Sequence, residues 1–206
     1  MFANACALAL AALLPAVTAF AQEGDGEPAE PRPVEVVREN AAALRDLMES
    51  DLGRAFVDAA QSLPEIHDTR VAYYNRATRE ALSEADALAL SEDERAPYTR
   101  YELGESFYYN TFYGTPAAYS RAIDLAGQNG LDSPEGLRVF DFGFGGIGHL
   151  RMLASLGAQC AGVEVLELLD VYYTDDDTGT IENDHAPDGR ITLLYGSFPG
   201  DEQIAK

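Results

Sequence analysis

The stretch VFDFGFGGIGHL, residues 139–150, holds the residues best suited to chemistry. Gly143, Gly145, Gly146 and Gly148 fall within six positions, after an apolar run and before a helical pattern. Glycine lets a backbone approach a ligand closely, and the N–H groups that open a following helix suit polar ligand atoms. Gly143-x-Gly145-x-x-Gly148 has the spacing of the dinucleotide fingerprint. That physics is shared by several ligands, and two acids narrow the choice. Asp141 lies two residues before the first glycine, at the strand end. A carboxylate there faces a diphosphate badly and suits a ligand with an ammonium group. Glu164 closes the next apolar run, where an acid accepts hydrogen bonds from ribose hydroxyls. Glu164 fits NAD and an adenosine cofactor alike; Asp141 favours the latter. His149, just past the turn, reads as a packing or surface histidine rather than a base, and His67 and His185 carry less signal.

Such a turn needs a strand before it and a helix after it. RVFDF (138–142) predicts the strand, and a helix follows from about Gly146 to Leu156, closed by Gly157. AQCAGVEV (158–165) predicts a second strand, LELLDVYY a short helix, and RITLLYG (190–196) a third strand. Strand, helix, strand, linker, strand is the first half of a doubly wound, Rossmann-like parallel sheet in an α/β fold.

VFDFGFGGIGHLRMLASLGAQCAGVEV resembles the opening motifs of class I S-adenosylmethionine-dependent methyltransferases. Their first motif is an apolar strand ending in acidic-x-Gly-x-Gly-x-Gly, and here Asp141, Gly143 and Gly145 match it. Ile147 stands at the third glycine, between Gly146 and Gly148. Their second motif is the acid that closes the second strand, here Glu164. RITLLYGSF resembles the third-strand region, with Ser197 where an acidic or polar residue near the adenine is usual. The likeness covers residues 136 to 198 and implies S-adenosyl-L-methionine as cofactor. It implies Gly143, Gly145 and Gly146 at the methionine part, Asp141 holding its amino group through water, Glu164 on the ribose, and Val165 and Ser197 at the adenine. The methyl acceptor and any catalytic residue stay unassigned. Two other readings stay open: an NAD(P)-dependent oxidoreductase, carried by the glycine spacing alone, and a non-catalytic fragment or binding module.

The family's sheet has seven strands, and this chain reaches Lys206 just after the third. The expectation is therefore an N-terminal part of such an enzyme. The first strand would be left as an open apolar edge through which copies could self-associate.

The remaining sequence predicts four regions: a signal peptide (1–21), a flexible linker (22–34), a helical cap (35–132) and the partial sheet domain (133–206). Residues 1–21 carry no charge, and Ala19-Phe20-Ala21 is a small-x-small cleavage pattern. Export to the periplasm or medium follows if that signal works, and a cytoplasmic location if it does not. The apolar stretch Cys6–Leu14 is too short to span a bilayer. In the cap, Val37, Ala41, Leu44, Met48, Leu52 and Phe56 make one helical face, and a second helical region is expected over Val71–Leu82. Ser83-x-x-Asp86 and Ser91-x-x-Glu94 resemble capping boxes. Eight aromatic residues from Tyr98 to Tyr119 read as packing, or as a wall over a ligand.

The net charge of −21, from 35 acids against 14 bases, disfavours nucleic acid and anionic membranes as partners. The acidic loop from Thr174 to Gly189 lacks the ordered spacing of a calcium loop and reads as solvated surface. Cys160, alone once Cys6 leaves with the signal, reads as a buried thiol.

Overall fold

The computed structural model describes residues 30–110, 114–165, 168–182 and 187–196. The expected signal, residues 22–29 of the expected linker, Phe112, Tyr113, His185 and Ser197 lie outside the described residues. In chain order the elements are α1 (Pro33–Leu44), α2 (Asp51–Asp58), β1 (Arg70–Asn75), β2 (Glu80–Ser83), α3 (Glu84–Ala89), α4 (Glu92–Arg95) and β3 (Thr99–Leu103). They continue with α5 (Glu105–Tyr109), α6 (Ser120–Gln128), β4 (Arg138–Phe142), α7 (Gly148–Ala154), β5 (Gln159–Glu164), α8 (Leu168–Tyr172), β6 (Gly179–Ile181) and β7 (Gly189–Tyr195).

The chain is mixed α/β with two sheets. One is antiparallel, in the order β2-β1-β3; the other has four strands in the order β4-β5-β7-β6. In the second sheet β4, β5 and β7 are parallel, with Asp141 beside Gly162 and Gly162 beside Leu193, while β6 runs antiparallel to β7. One apolar cluster, from Val34 to Ile191, lies under both sheets. Helix α8 packs on β1 and β2, and α7 packs on β5 and β7.

The region 35–132 is not purely helical, which corrects the expected helical cap. Val71–Leu82 forms the β1–β2 hairpin rather than a helix. Its Val and Tyr residues favour strands, and Asn75 closes a turn that a helix cannot contain. Asn75 Oδ1 accepts from the N–H groups of Ala77 (3.0 Å) and Thr78 (3.4 Å). The partner strand β3 lies farther along the chain, where Arg70 faces Leu103. The first helix also ends sooner than its apolar spacing suggests. Ser50 caps a separate α2 by accepting from Gly53 N–H at 2.9 Å. The break is held from α6: Asp124 Oδ1 accepts from Glu49 N–H (3.0 Å), Ser50 N–H (2.8 Å) and Ser50 Oγ (2.9 Å). Those bonds, Ser50 N–H first, hold this buried carboxyl below its usual range against the pull of burial. Both capping serines act as expected, with Ser83 Oγ accepting from Asp86 N–H and Ser91 Oγ from Glu94 N–H.

Part of the acidic loop is built into the core, another correction. The Asp177 carboxylate is buried and accepts from Arg70 Nη1 at 2.6 Å and from Thr174 N–H at 2.8 Å. Burial opposes its charge, but Arg70 and Thr174 outweigh it and the carboxyl sits below its usual range. Arg70 Nη1 also donates to Tyr172 O at 2.8 Å, so one side chain ties the antiparallel sheet to the chain after α8. Cys160 is a buried free thiol, and burial pushes it up to about 12. Among the described residues no helix is long and apolar enough to cross a membrane.

Candidate functional site

The glycine turn divides into two halves with different roles. Gly143 and Gly145 have φ of +75° and +54°, the left-handed region that glycine enters without strain. A Cβ on Gly145 would meet nothing within 4 Å, and one on Gly143 would meet only Glu164 Oε2, at 4.0 Å. This half borders open space. Gly146 and Gly148 are packing positions. A Cβ on Gly146 would lie 2.7 Å from Asn110 O and 2.8 Å from Tyr108 O, and one on Gly148 would lie 2.3 Å from Pro116 Cγ. Helix α7 starts at Gly148, two residues later than expected, and its first residues are buried. Close packing therefore requires glycine at position 146.

Between the halves, Phe144 points into the core and fits only because Gly162 lacks a side chain. A Cβ there would lie 2.6 Å from Phe144 Cδ1. Tyr173 Oη donates to Gly145 O at 2.7 Å and holds the turn from beneath.

Glu164 ends β5 beside the open half. Its Oε1 accepts from Val165 N–H at 2.8 Å and its Oε2 from Gly145 N–H at 3.4 Å. The second bond is long, and an ionised carboxylate offers about four lone-pair sites. Glu164 thus keeps acceptor capacity facing the turn. Val165 is 46% exposed at the same strand end. The structure brings Gly143, Gly145, Glu164 and Val165 together; Ser197 lies outside the described residues.

Asp141 also bonds within the protein. Its Oδ2 lies 2.7 Å from His149 Nε2. His149 is buried and stacks on Tyr119, with ring centroids 4.0 Å apart and planes 7° from parallel. Its Nδ1 is buried without a hydrogen-bond partner among the described residues. A proton on Nε2 lets the ring donate to the Asp141 carboxylate. The pair spans the turn from strand to helix, a link that residue types named but spacing did not join.

The aromatic run is mainly packing. Tyr108, Tyr109 and Tyr172 are fully buried, and Tyr108 meets Tyr109 edge to face at 5.0 Å. Tyr109 Oη donates to Pro64 O. Burial pushes the Tyr108, Tyr109 and Tyr172 hydroxyls up, which keeps them neutral at neutral pH. A cavity of about 560 Å³ opens beyond Tyr173, lined by Asp170, Thr174, Thr178, Arg190 and Tyr195, and it contains none of the expected site residues. Among the described residues no group of three or more His, Cys, Asp or Glu could hold a metal ion.

No family model, no curated protein and no solved structure matches this chain.

Proposed function

We propose that the open half of the glycine turn is a binding site for S-adenosyl-L-methionine and that the chain serves methyl transfer. One observation carries this reading: Gly143 and Gly145, both at positive φ and bordering open space, lie beside the Glu164 carboxylate, with Glu164 Oε2 4.0 Å from where a Gly143 Cβ would be. The reading takes β4, β5 and β7 as the first half of a Rossmann-like, doubly wound sheet, with the ligand at the carboxyl ends of the strands. Glu164 accepts from the two ribose hydroxyls. Val165 offers an apolar surface to the adenine. Gly143 and Gly145 allow the methionine part to approach the backbone. Asp141 serves the ammonium through water with its Oδ1, while His149 fixes the carboxylate through Oδ2. Ser197 remains a proposed contact at the adenine.

The cofactor supplies a methyl group activated on a sulfonium. The chain's own residues orient that group, and positioning alone accounts for much of the acceleration in such transfers. A dinucleotide would use the same glycines and Glu164, but the acid at Asp141 suits a ligand with an ammonium.

Calorimetric titration of the full chain with S-adenosylmethionine and, separately, with NAD tests the reading. Saturable binding with preference for S-adenosylmethionine is expected, and preference for NAD would overturn it.

A further inference from the structure

Arg79 is the one non-glycine residue with a positive φ, +62°, among the described residues. Such a conformation is costly for a residue with a Cβ, and observed strain of this kind concentrates at functional positions. The β1–β2 turn would accept glycine at this point. It closes through backbone and Asn75, with Arg79 N–H donating to Asn75 O at 2.8 Å and Asn75 Oδ1 accepting from Ala77 and Thr78 N–H. The Arg79 side chain takes no part in these turn bonds. It reaches 86 positions along the sequence, where Nη2 donates to Val165 O at 2.7 Å.

Other contacts also join the two sheets. Helix α8 already packs on β1 and β2, and Arg70 bonds both Asp177 and Tyr172 O. What the bond does is hold the carbonyl of Val165, the residue after Glu164. Val165 N–H donates to Glu164 Oε1, and Glu164 Oε2 accepts from Gly145 N–H. A chain of contacts thus runs from Arg79 through Val165 and Glu164 to the glycine turn.

We propose that the β1–β2 turn is the nucleoside-side wall of the glycine-turn site, with Arg79 as its positioning residue. This rests on the reading of that site as one for an adenosine-bearing cofactor. Arg79 holds the Val165 carbonyl, so that Val165 keeps its place under the base and Glu164 keeps its carboxylate toward the ribose. The antiparallel sheet then belongs to the site rather than only covering the core.

The test uses the full chain, Arg79→Gly and Arg79→Lys, each titrated with S-adenosylhomocysteine and with adenosine and each melted without ligand. Glycine suits the backbone at this position, so the Arg79→Gly melting temperature is expected within about 3 °C of the parent. Its affinity is expected to fall roughly tenfold, by the same factor for both ligands, because the lost contact is at the nucleoside end. Arg79→Lys keeps a donor for the Val165 carbonyl and is expected to recover most of that loss. Unchanged affinity in Arg79→Gly would overturn the role of Arg79 while leaving the cofactor site in place. A large fall in its melting temperature would mark Arg79 as a strut between the sheets and overturn the proposal. Failure of the folded parent to bind either ligand would remove the cofactor reading, and this proposal with it.

Discussion

Single residues decide the shape of the turn after β4. Phe144 anchors it, and Gly162 on the neighbouring strand makes the room. Gly162→Ala would place a Cβ 2.6 Å from Phe144 Cδ1 and 3.3 Å from Leu150 Cδ1. Overpacking of this kind costs about 1–3 kcal/mol. Urea unfolding is expected to show that loss, together with weaker ligand binding, because a displaced Phe144 moves Gly143 and Gly145 with it. Unchanged stability would mean that the core here yields freely. The sequence made the glycines, Asp141 and Glu164 legible, since their types and spacing are local. It did not separate the glycines that border open space from those that pack. Gly146 meets the carbonyls of Tyr108 and Asn110, and nothing near residue 146 in the chain announces those neighbours. The Asp141–His149 bond was hidden in the same way, because the turn between the two residues sets their distance.

Among the elements, Arg70 on β1 bonds Asp177 in the turn before β6. The Asp177 carboxyl is depressed in the folded state, so its contribution is present above the unfolded value, about 3.9, and is lost as pH falls through the folded value. Asp177→Asn is expected to cost about 2 kcal/mol at pH 7, less than a fully buried pair, because Arg70 keeps 23% of its side chain in water. The gap between parent and variant should narrow as the pH falls below the unfolded value and close once it has passed through the depressed folded one. Urea denaturation at several pH values measures it, and a gap that persists in acid would contradict the assignment.

Element legibility followed locality. β4, β5 and β7 stand out as apolar runs between glycines and turns. β1 does not, because Val71–Leu82 satisfies a helical spacing and a strand equally. What decides is β3, whose Leu103 pairs with Arg70 after α3 and α4 intervene. Asp177 read as solvated for the same reason, since its partner Arg70 is 107 positions away.

The whole molecule carries a net charge of −21. Self-repulsion on that scale destabilises a compact state, and salt screens it over a Debye length of about 8 Å at 0.15 M. The melting temperature is expected to rise by about 2–4 °C between 10 and 150 mM sodium chloride, corresponding to roughly 1 kcal/mol. A fall would show that attractive pairs such as Arg70–Asp177 and Arg45–Asp58 outweigh the repulsion. The expected apolar edge is visible at this scale too. β4 ends the four-stranded sheet among the described residues, with Phe140 44% exposed and Phe142 56% exposed.

The proposed role of Glu164 and the open half of the glycine turn is to hold an adenosine cofactor. Calorimetric titration of S-adenosylmethionine into the full chain and into Glu164→Ala tests it most directly. Saturable binding by the parent, weakened at least about tenfold by the substitution (about 1.4 kcal/mol) with the fold intact, is the predicted result. Equal binding by both proteins, or none by the folded parent, would contradict it.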